Sequence, residues 1–189
     1  MQACAGPAIT LKMNPMFKIE KPGSHLDHLM RATQFHHVQL SSMADVKANM
    51  LLTMSSVVLT LCLPQLLKNS HLWPLYILIS FCLLTICLAT YAVMPKLPPA
   101  NLPAPDIQNP SFNLLFFGDF TRLGQAQFES AMEEIMNDPS RTYGTQVREI
   151  YLLGTFLAKK KYRYLRLGYL SFITGLFAAF ISFILIALF

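Results

Sequence analysis

Three long stretches without a charged residue constrain this chain more than any other feature of its sequence. They cover residues 50–67, 72–94 and 167–189. A helix rises about 1.5 Å per residue, so roughly 20 apolar residues cross a hydrocarbon core about 30 Å thick. The whole chain is 53% hydrophobic and only 13% charged, which is unusual for a water-soluble protein. The sequence therefore predicts an all-α integral membrane protein with three transmembrane helices.

The lysines and arginines predict how these helices are oriented. Five of the 15 precede the first stretch, Lys68 alone lies between the first and the second, and nine lie in residues 95–166. Basic residues are retained on the cytoplasmic side of a membrane. We therefore expect the N-terminus and the region 95–166 to be cytoplasmic and the C-terminus to lie outside.

The remaining sequence predicts two cytoplasmic helical extensions of the spans and a short helical insert. Six prolines in residues 95–110 favour an extended spacer. The insert has a predicted apolar face of Phe128, Met132, Ile135 and Met136. The predicted segments are a disordered tail (1–23), a cytoplasmic helix continuous with the first span (24–49), the first two spans (50–67 and 72–94), the spacer (95–110), a cytoplasmic helical region (111–166) and the third span (167–189).

A polar stripe follows one face of the first helix. At 100° per residue, Gln34, His37, Ser41, Asp45 and Asn49 fall within about a third of the helical circumference. Asp45 and Lys47 also lie close to the predicted membrane surface, where an unpaired charge is costly. Each should therefore pair with another group or face an aqueous cavity. Alternatively, the helix end is simply solvated and the lysine side chain extends to phospholipid.

A basic run lies immediately before the third span. It begins with Lys159, Lys160, Lys161 and Tyr162 and continues to Arg166. Such clusters bind anionic lipid headgroups, at about 1 kcal/mol per basic residue. Lysine interleaved with tyrosine also suits a nucleotide, through phosphate pairing and base stacking. Spacing alone does not separate these two interpretations.

The sequence gives little support for metal binding or catalysis. Neighbouring histidines such as His36 and His37 point about 100° apart on a helix and cannot share one ion. The chain has no HExxH motif, and its four cysteines show no metal-site spacing. No nucleophile is accompanied by a base and an orienting acid. We expect neither a metal nor a cofactor, and no enzymatic activity.

Several motifs give the chain a resemblance to a known family. It resembles the transmembrane effectors of bacterial Pycsar antiphage systems over roughly residues 28 to 185. The resemblance is carried by His37 with the Ala-Asp-x-Lys-Ala element, by a Phe-Phe-Gly turn and by a Lys-Tyr pair. The matching residues are Ala44, Asp45, Lys47, Ala48, Phe116, Phe117, Gly118, Lys161 and Tyr162.

The resemblance implies an effector that responds to a cyclic pyrimidine mononucleotide, cCMP or cUMP, made by a cognate nucleotide cyclase. Such an effector impairs the bacterial inner membrane and arrests the infected cell. We expect a homo-oligomer that binds no nucleic acid polymer. Small or polar residues within the spans are candidates for contacts between protomers: Ser55, Ser56, Thr60, Gly175, Ala178, Ala179 and Ser182.

No β-roll or phosphate-binding cassette of a cyclic-nucleotide-binding domain is recognisable. Ligand sensing therefore uses the cytoplasmic helices, uses a partner, or does not occur in this chain. If the two extended helices pair, the polar stripe and the basic run come together. The candidate ligand-binding residues are His37, Ser41, Asp45, Lys47, Asn49, Lys159, Lys160, Lys161 and Tyr162. The candidate structural turn is Phe116, Phe117, Gly118 and Asp119.

Two other functional classes compete with an effector. The first is a membrane anchor or regulatory subunit without catalytic activity, which recruits a cytoplasmic enzyme through residues 111–160. A small-substrate transporter is disfavoured, because three spans are few.

Overall fold

All regular secondary structure in the described part of the chain is helical, which confirms the predicted all-α class. The structure, a computed structural model, describes residues 18–68, 72–95 and 112–188. Most of the predicted tail and of the proline-rich spacer lies outside these residues. The helices are α1 (Ser24–Lys68), α2 (Trp73–Val93), α3 (Phe117–Phe120), α4 (Gln125–Met136), α5 (Pro139–Phe156) and α6 (Arg163–Leu188), with a π-helical segment (Leu157–Tyr162) between α5 and α6.

Three helical runs are long and apolar enough to cross a membrane. They are Ser24–Lys68, Trp73–Val93 and the uninterrupted run Pro139–Leu188. Large apolar side chains on them are exposed, among them Leu61 at 68% and Phe180 at 63%. Such exposure is unfavourable in water and natural in lipid. The chain is a membrane protein.

The chain divides into two compact units. The first contains the described residues up to His37 together with those from 112 to Gly154, and we call it the extramembrane unit because the sequence predicts that its residues lie outside the spans. The second, the membrane unit, contains Val38–Met94 and the described residues from Thr155 onward.

Small residues let the helices of the membrane unit approach closely. Its core contains Ala44, Ala48, Leu51, Cys82, Ala89, Leu165 and Phe172. At Gly175 a Cβ atom would lie only 2.4 Å from Cβ of Phe81, a distance that real side chains do not adopt. Packing within the chain thus requires a residue without a Cβ atom at position 175.

This packing accounts for several residues expected between protomers. Ser55, Gly175, Ala179 and Ser182 are buried within the chain, whereas Ser56 and Thr60 are exposed. The sequence shows that these residues are small or polar, but it does not show which face of each helix packs against another helix of the same chain.

The extramembrane unit has its own apolar core. Phe112, Leu114, Ala131 and Ile135 are buried, and Phe128 and Met132 pack against them. The predicted apolar face of the insert is thus largely observed in α4. Met136 was wrongly included, since it is 71% exposed.

Polar side chains connect the helices of the extramembrane unit. Gln34 Nε2 donates a hydrogen bond to Glu149 Oε2 at 2.7 Å, and Tyr143 Oη donates one to Asp27 Oδ1 at 2.6 Å. Burial raises the pKa of the Glu149 carboxyl, and the hydrogen bond from Gln34 partly opposes this rise. The folded state therefore favours the protonated form of Glu149 more than the unfolded chain does.

Gly175→Ala should destabilise the membrane unit by about 1–3 kcal/mol, because the new methyl group has no room beside the Cβ of Phe81. Thr174→Ala is the matched control, since Thr174 is exposed and its hydroxyl bonds to carbonyl groups of its own helix. The control should change stability by less than about 0.5 kcal/mol. Thermal unfolding of both variants in detergent measures the difference, and equal melting temperatures would contradict the packing described here.

Glu149→Gln should remove a pH dependence from the extramembrane unit. Because the folded pKa of Glu149 is raised, its stabilising contribution is complete below the pKa of the unfolded chain and is lost as pH rises through the folded value. The free energy of unfolding in urea, measured between about pH 4 and pH 8, should fall less steeply in the variant. Exposed Glu133→Gln is the control and should retain the wild-type slope. Identical profiles for wild type and Glu149→Gln would refute this account.

Candidate functional site

The first part of the basic run, Lys159 to Tyr162, lies in a π-helical segment rather than in the expected continuous α-helix, and the rest of the run belongs to α6. This segment is Leu157–Tyr162 and contains all three consecutive lysines. In a π-helix the N–H of residue i+5 donates to the carbonyl of residue i. Such segments are rare in proteins, and those that occur are frequently at functional sites. The π-helical segment therefore identifies the basic run as a candidate functional site.

Lys161 pairs with the polar stripe of α1. Its Nζ donates hydrogen bonds to Asp45 Oδ1 at 2.6 Å, to Asp45 Oδ2 at 2.8 Å and to Ser41 Oγ at 2.9 Å. Ser41 and Asp45 lie one helical turn apart, so both face the same lysine. The Lys161 side chain is only 12% exposed, against 43% for Asp45. The ammonium is thus largely withdrawn from solvent and is held by a carboxylate and a hydroxyl.

The neighbouring lysines lie in different surroundings. Lys160 is 8% exposed, and its Nζ lies 5.1 Å from the centroid of the Tyr91 ring and 5.7 Å from that of Phe156. These distances suit attraction between a cation and an aromatic face. Lys159 is exposed. The three lysines thus differ in their contacts: one is on the surface, one is over aromatic rings and one is in an ion pair.

Tyr162 fixes the end of the π-helical segment to α1. Its hydroxyl donates a hydrogen bond to the backbone carbonyl of Leu40 at 3.1 Å. We call Ser41, Asp45, Lys161 and Tyr162 the lysine latch, because these side chains join α1 to the π-helical segment within the membrane unit.

Three other predicted ligand-binding residues do not share these contacts. Lys47, Asn49 and Lys159 are exposed. The backbone carbonyl of Lys47 accepts a long hydrogen bond, 3.4 Å, from the hydroxyl of Tyr169. The side chains of Lys47 and Asn49 are therefore available to solvent or lipid headgroups.

His37 belongs to the extramembrane unit. Its Nδ1 is buried, with no hydrogen-bond partner in the part of the chain that the structure describes. Its ring lies against Gly154, where a Cβ atom would be 3.4 Å from Cε1 of the histidine. Among the described residues, no group of three or more His, Cys, Asp or Glu side chains is arranged to hold a metal ion.

The Phe-Phe-Gly turn also lies in the extramembrane unit. Asp119 Oδ2 accepts a hydrogen bond from the backbone N–H of Asn113 at 2.9 Å, and Asn113 Oδ1 accepts one from the N–H of Leu115 at 3.0 Å. Gly118 is buried, and a Cβ there would lie 2.4 Å from Cε1 of Phe116. Phe116, Phe117, Gly118 and Asp119 thus form a compact turn entering α3, and these contacts are structural.

Sequence patterns missed two parts of the site. Tyr91 has the position of an interfacial aromatic at the end of a span, and nothing in its local sequence connects it with Lys160. The π-helical segment has no sequence signal either, since alanine and lysine both favour an ordinary α-helix. Burial of Lys160 and Lys161 follows from contacts with other helices.

The geometry limits how an anion can bind here. The three N–H groups of the Lys161 ammonium face three oxygen atoms, so all of its hydrogen-bond donors are in use. An anionic ligand would therefore have to displace Asp45 from Lys161 rather than enter an empty site. The lysine latch is better suited to release by competition than to static storage of a ligand.

Comparison with known proteins gives one family match. The model of the Pycsar effector protein domain matches residues 28–188. No curated protein and no solved structure gives a significant match. The match extends from the second turn of α1 to the end of α6, so it includes the lysine latch and the apolar stretches of all three candidate spans. This chain therefore belongs to the Pycsar effector protein domain family.

Proposed function

We propose that this chain is the membrane effector of a cyclic-nucleotide-triggered antiphage system, and that it oligomerises and impairs the inner membrane when the signal appears. The observation that carries the proposal is the family match over residues 28–188 of a chain with three candidate membrane spans. The signal is cCMP or cUMP, made by a partner nucleotide cyclase. The chain itself performs no catalysis and holds no cofactor.

We place the sensor at the lysine latch. The cyclic phosphate of the signal is an anion, and phosphate oxygens and carboxylates compete for the same ammonium donors. Lys159, exposed beside the latch, adds a second positive charge to attract the ligand. A ligand shifts a conformational equilibrium only as far as it binds one state more tightly than the other. Here the active state is the one in which Asp45 has released Lys161.

The distribution of basic residues supports a cytoplasmic sensor. Lys161 lies in the region 95–166, which carries nine of the 15 lysines and arginines. The positive-inside rule keeps such a region in the cytoplasm, where a cyclase would release its product. The N-terminus then lies inside and the C-terminus outside.

Coexpression with a cyclase tests the proposed function directly. Membrane potential is followed with a voltage-sensitive dye while cCMP or cUMP is quantified in the same culture. We expect the potential to fall as the nucleotide accumulates. A persistent potential in the presence of the nucleotide contradicts the effector function, and stable copurification of an enzyme without toxicity would favour a membrane anchor.

Variants of the lysine latch test the sensor. Asp45→Asn removes the competing charge and should lower the nucleotide concentration needed for depolarisation by about tenfold, the effect of about 1.4 kcal/mol. Lys161→Gln removes both the ion pair and the ammonium that would bind the nucleotide, so the membrane potential should no longer depend on the nucleotide concentration. Lys159→Gln is the matched control on the surface and should shift the response by only a few fold.

These comparisons require equal amounts of each variant in the membrane, measured by immunoblot. If Asp45→Asn and Lys161→Gln both respond like the wild type, the sensor lies elsewhere. The effector function itself would be unaffected by that result.

A further inference from the structure

The charges of the membrane unit are almost all positive. Its sequence contains seven lysines or arginines and one acidic residue, Asp45, which is a net charge of +6. Six of the seven basic residues precede the first or the third apolar stretch. Asp45 already pairs with Lys161. Four exposed basic residues form no ion pair within the described part of the chain: Lys47, Lys159, Arg163 and Arg166.

Two of these exposed residues lie at nearly the same depth on neighbouring helices. α1 contacts α6 at Gly168, where a Cβ atom would lie 3.3 Å from Cδ1 of Leu51. At about 1.5 Å per residue, Lys47 precedes this contact by about 6 Å along α1 and Arg166 by about 3 Å along α6. Each is also the last charged residue before the apolar stretch of its helix. The boundary between charged and apolar sequence is thus shared by the two helices.

Tyr169 adds a hydroxyl group to this boundary. Its Oη lies 3.4 Å from the backbone carbonyl oxygen of Lys47, which makes a long and weak hydrogen bond. Arg166 and Tyr169 are three residues apart on α6 and are therefore neighbours on its surface. We call Lys47, Arg166 and Tyr169 the boundary site. It presents an ammonium, a guanidinium and a hydroxyl group where the apolar stretches begin.

Apolar side chains continue from the boundary site into the membrane. Met50 follows Lys47 by three residues on α1, and Leu170 follows Arg166 by four on α6, so each lies on the face of the basic residue before it. Met50 is 55% exposed and Leu170 is 50% exposed. A molecule bound here would meet positive charge at one end and apolar surface at the other.

We propose that the boundary site binds the phosphate of an anionic phospholipid, whose acyl chains lie along the apolar side chains beyond it. A guanidinium binds phosphate oxygens in pairs, a lysine adds a point charge and a tyrosine hydroxyl donates a hydrogen bond. Basic groups between helices at the membrane surface are suited to such headgroups. The net charge of +6 favours an anionic lipid over a zwitterionic one. The inference goes beyond the proposed function, since it involves no nucleotide.

The boundary site also divides the basic run by role. Lys161 is held by Asp45, and Lys160 lies over aromatic rings. Arg166, at the end of the run, is exposed and acts together with Lys47 of another helix. Headgroup binding and the lysine latch therefore use different side chains of the same unit.

Native mass spectrometry of the full chain in neutral detergent tests lipid binding. Dioleoyl phosphatidylglycerol is the anionic probe, and dioleoyl phosphatidylcholine, which carries a phosphate but no net charge, is the reference lipid. The wild type should bind phosphatidylglycerol at least about tenfold more tightly. Equal affinity for the two lipids would overturn the proposal.

Paired substitutions separate a defined site from general attraction by charge. Lys47→Gln combined with Arg166→Gln should weaken phosphatidylglycerol binding about 30-fold, because each basic residue near the surface contributes about fivefold. Lys159→Gln combined with Arg163→Gln removes the same charge from exposed residues farther from the boundary and should cost less than about fivefold. Equal losses in the two double variants would assign lipid binding to net charge and contradict the boundary site.

Tyr169→Phe tests the site without changing its charge. Loss of the hydroxyl group should weaken phosphatidylglycerol binding about threefold or more, and it provides the comparison if the double variant does not fold. Wild-type affinity in Tyr169→Phe would overturn the role given to the hydroxyl group. Inorganic phosphate in excess should leave the lipid bound, because it has no acyl chains to contact Met50 and Leu170. Displacement by inorganic phosphate would assign the site to a soluble anion and refute lipid binding.

Discussion

The ion pair between Lys161 and Asp45 is the interaction on which the candidate site depends. An ammonium that is only 12% exposed needs acceptors, because burying an unpaired charge is costly. Asp45 and Ser41 supply those acceptors from adjacent turns of α1. With Lys161 directed toward α1, Lys160 lies over Tyr91 and Phe156 and Lys159 remains exposed. The different surroundings of three identical residues thus follow from one pairing within a π-helical segment.

Close backbone approach is the second constraint on the membrane unit. In lipid, helices gain little from hiding apolar surface, since the surrounding chains are equally apolar. Association therefore depends on contact, and contact depends on small residues. Ala48 and Ala89 are fully buried, and Gly175 accommodates Phe81. These residues leave α6 free to present its large side chains to lipid.

The sequence predicted the fold class because lipid imposes a simple rule: a long stretch without charge must be helical and long enough to cross. It also placed Ser41 and Asp45 on one helix face and proposed that this face meets the basic run if the two extended helices pair. It could not show which of Lys159, Lys160 and Lys161 pairs with Asp45, because their order along the chain does not specify a π-helix. Nor could it tell that Gly175 faces Phe81 while Ser56 faces outward. Periodicity relates the faces of one helix to each other, but which face meets which neighbour is decided by packing.

The lysine latch lies beside the packed face of α1. Ser41 and Asp45 point toward Lys161, while the buried Ala44 and Ala48 lie about 100° and 60° around the axis from Asp45. The ion pair and the close packing therefore act on neighbouring faces of one helical segment. Removal of the Lys161–Asp45 pair would leave the contacts of Ala44 and Ala48 in place, so α1 is held in the membrane unit by two kinds of interaction, one polar and one that depends on close approach of small residues.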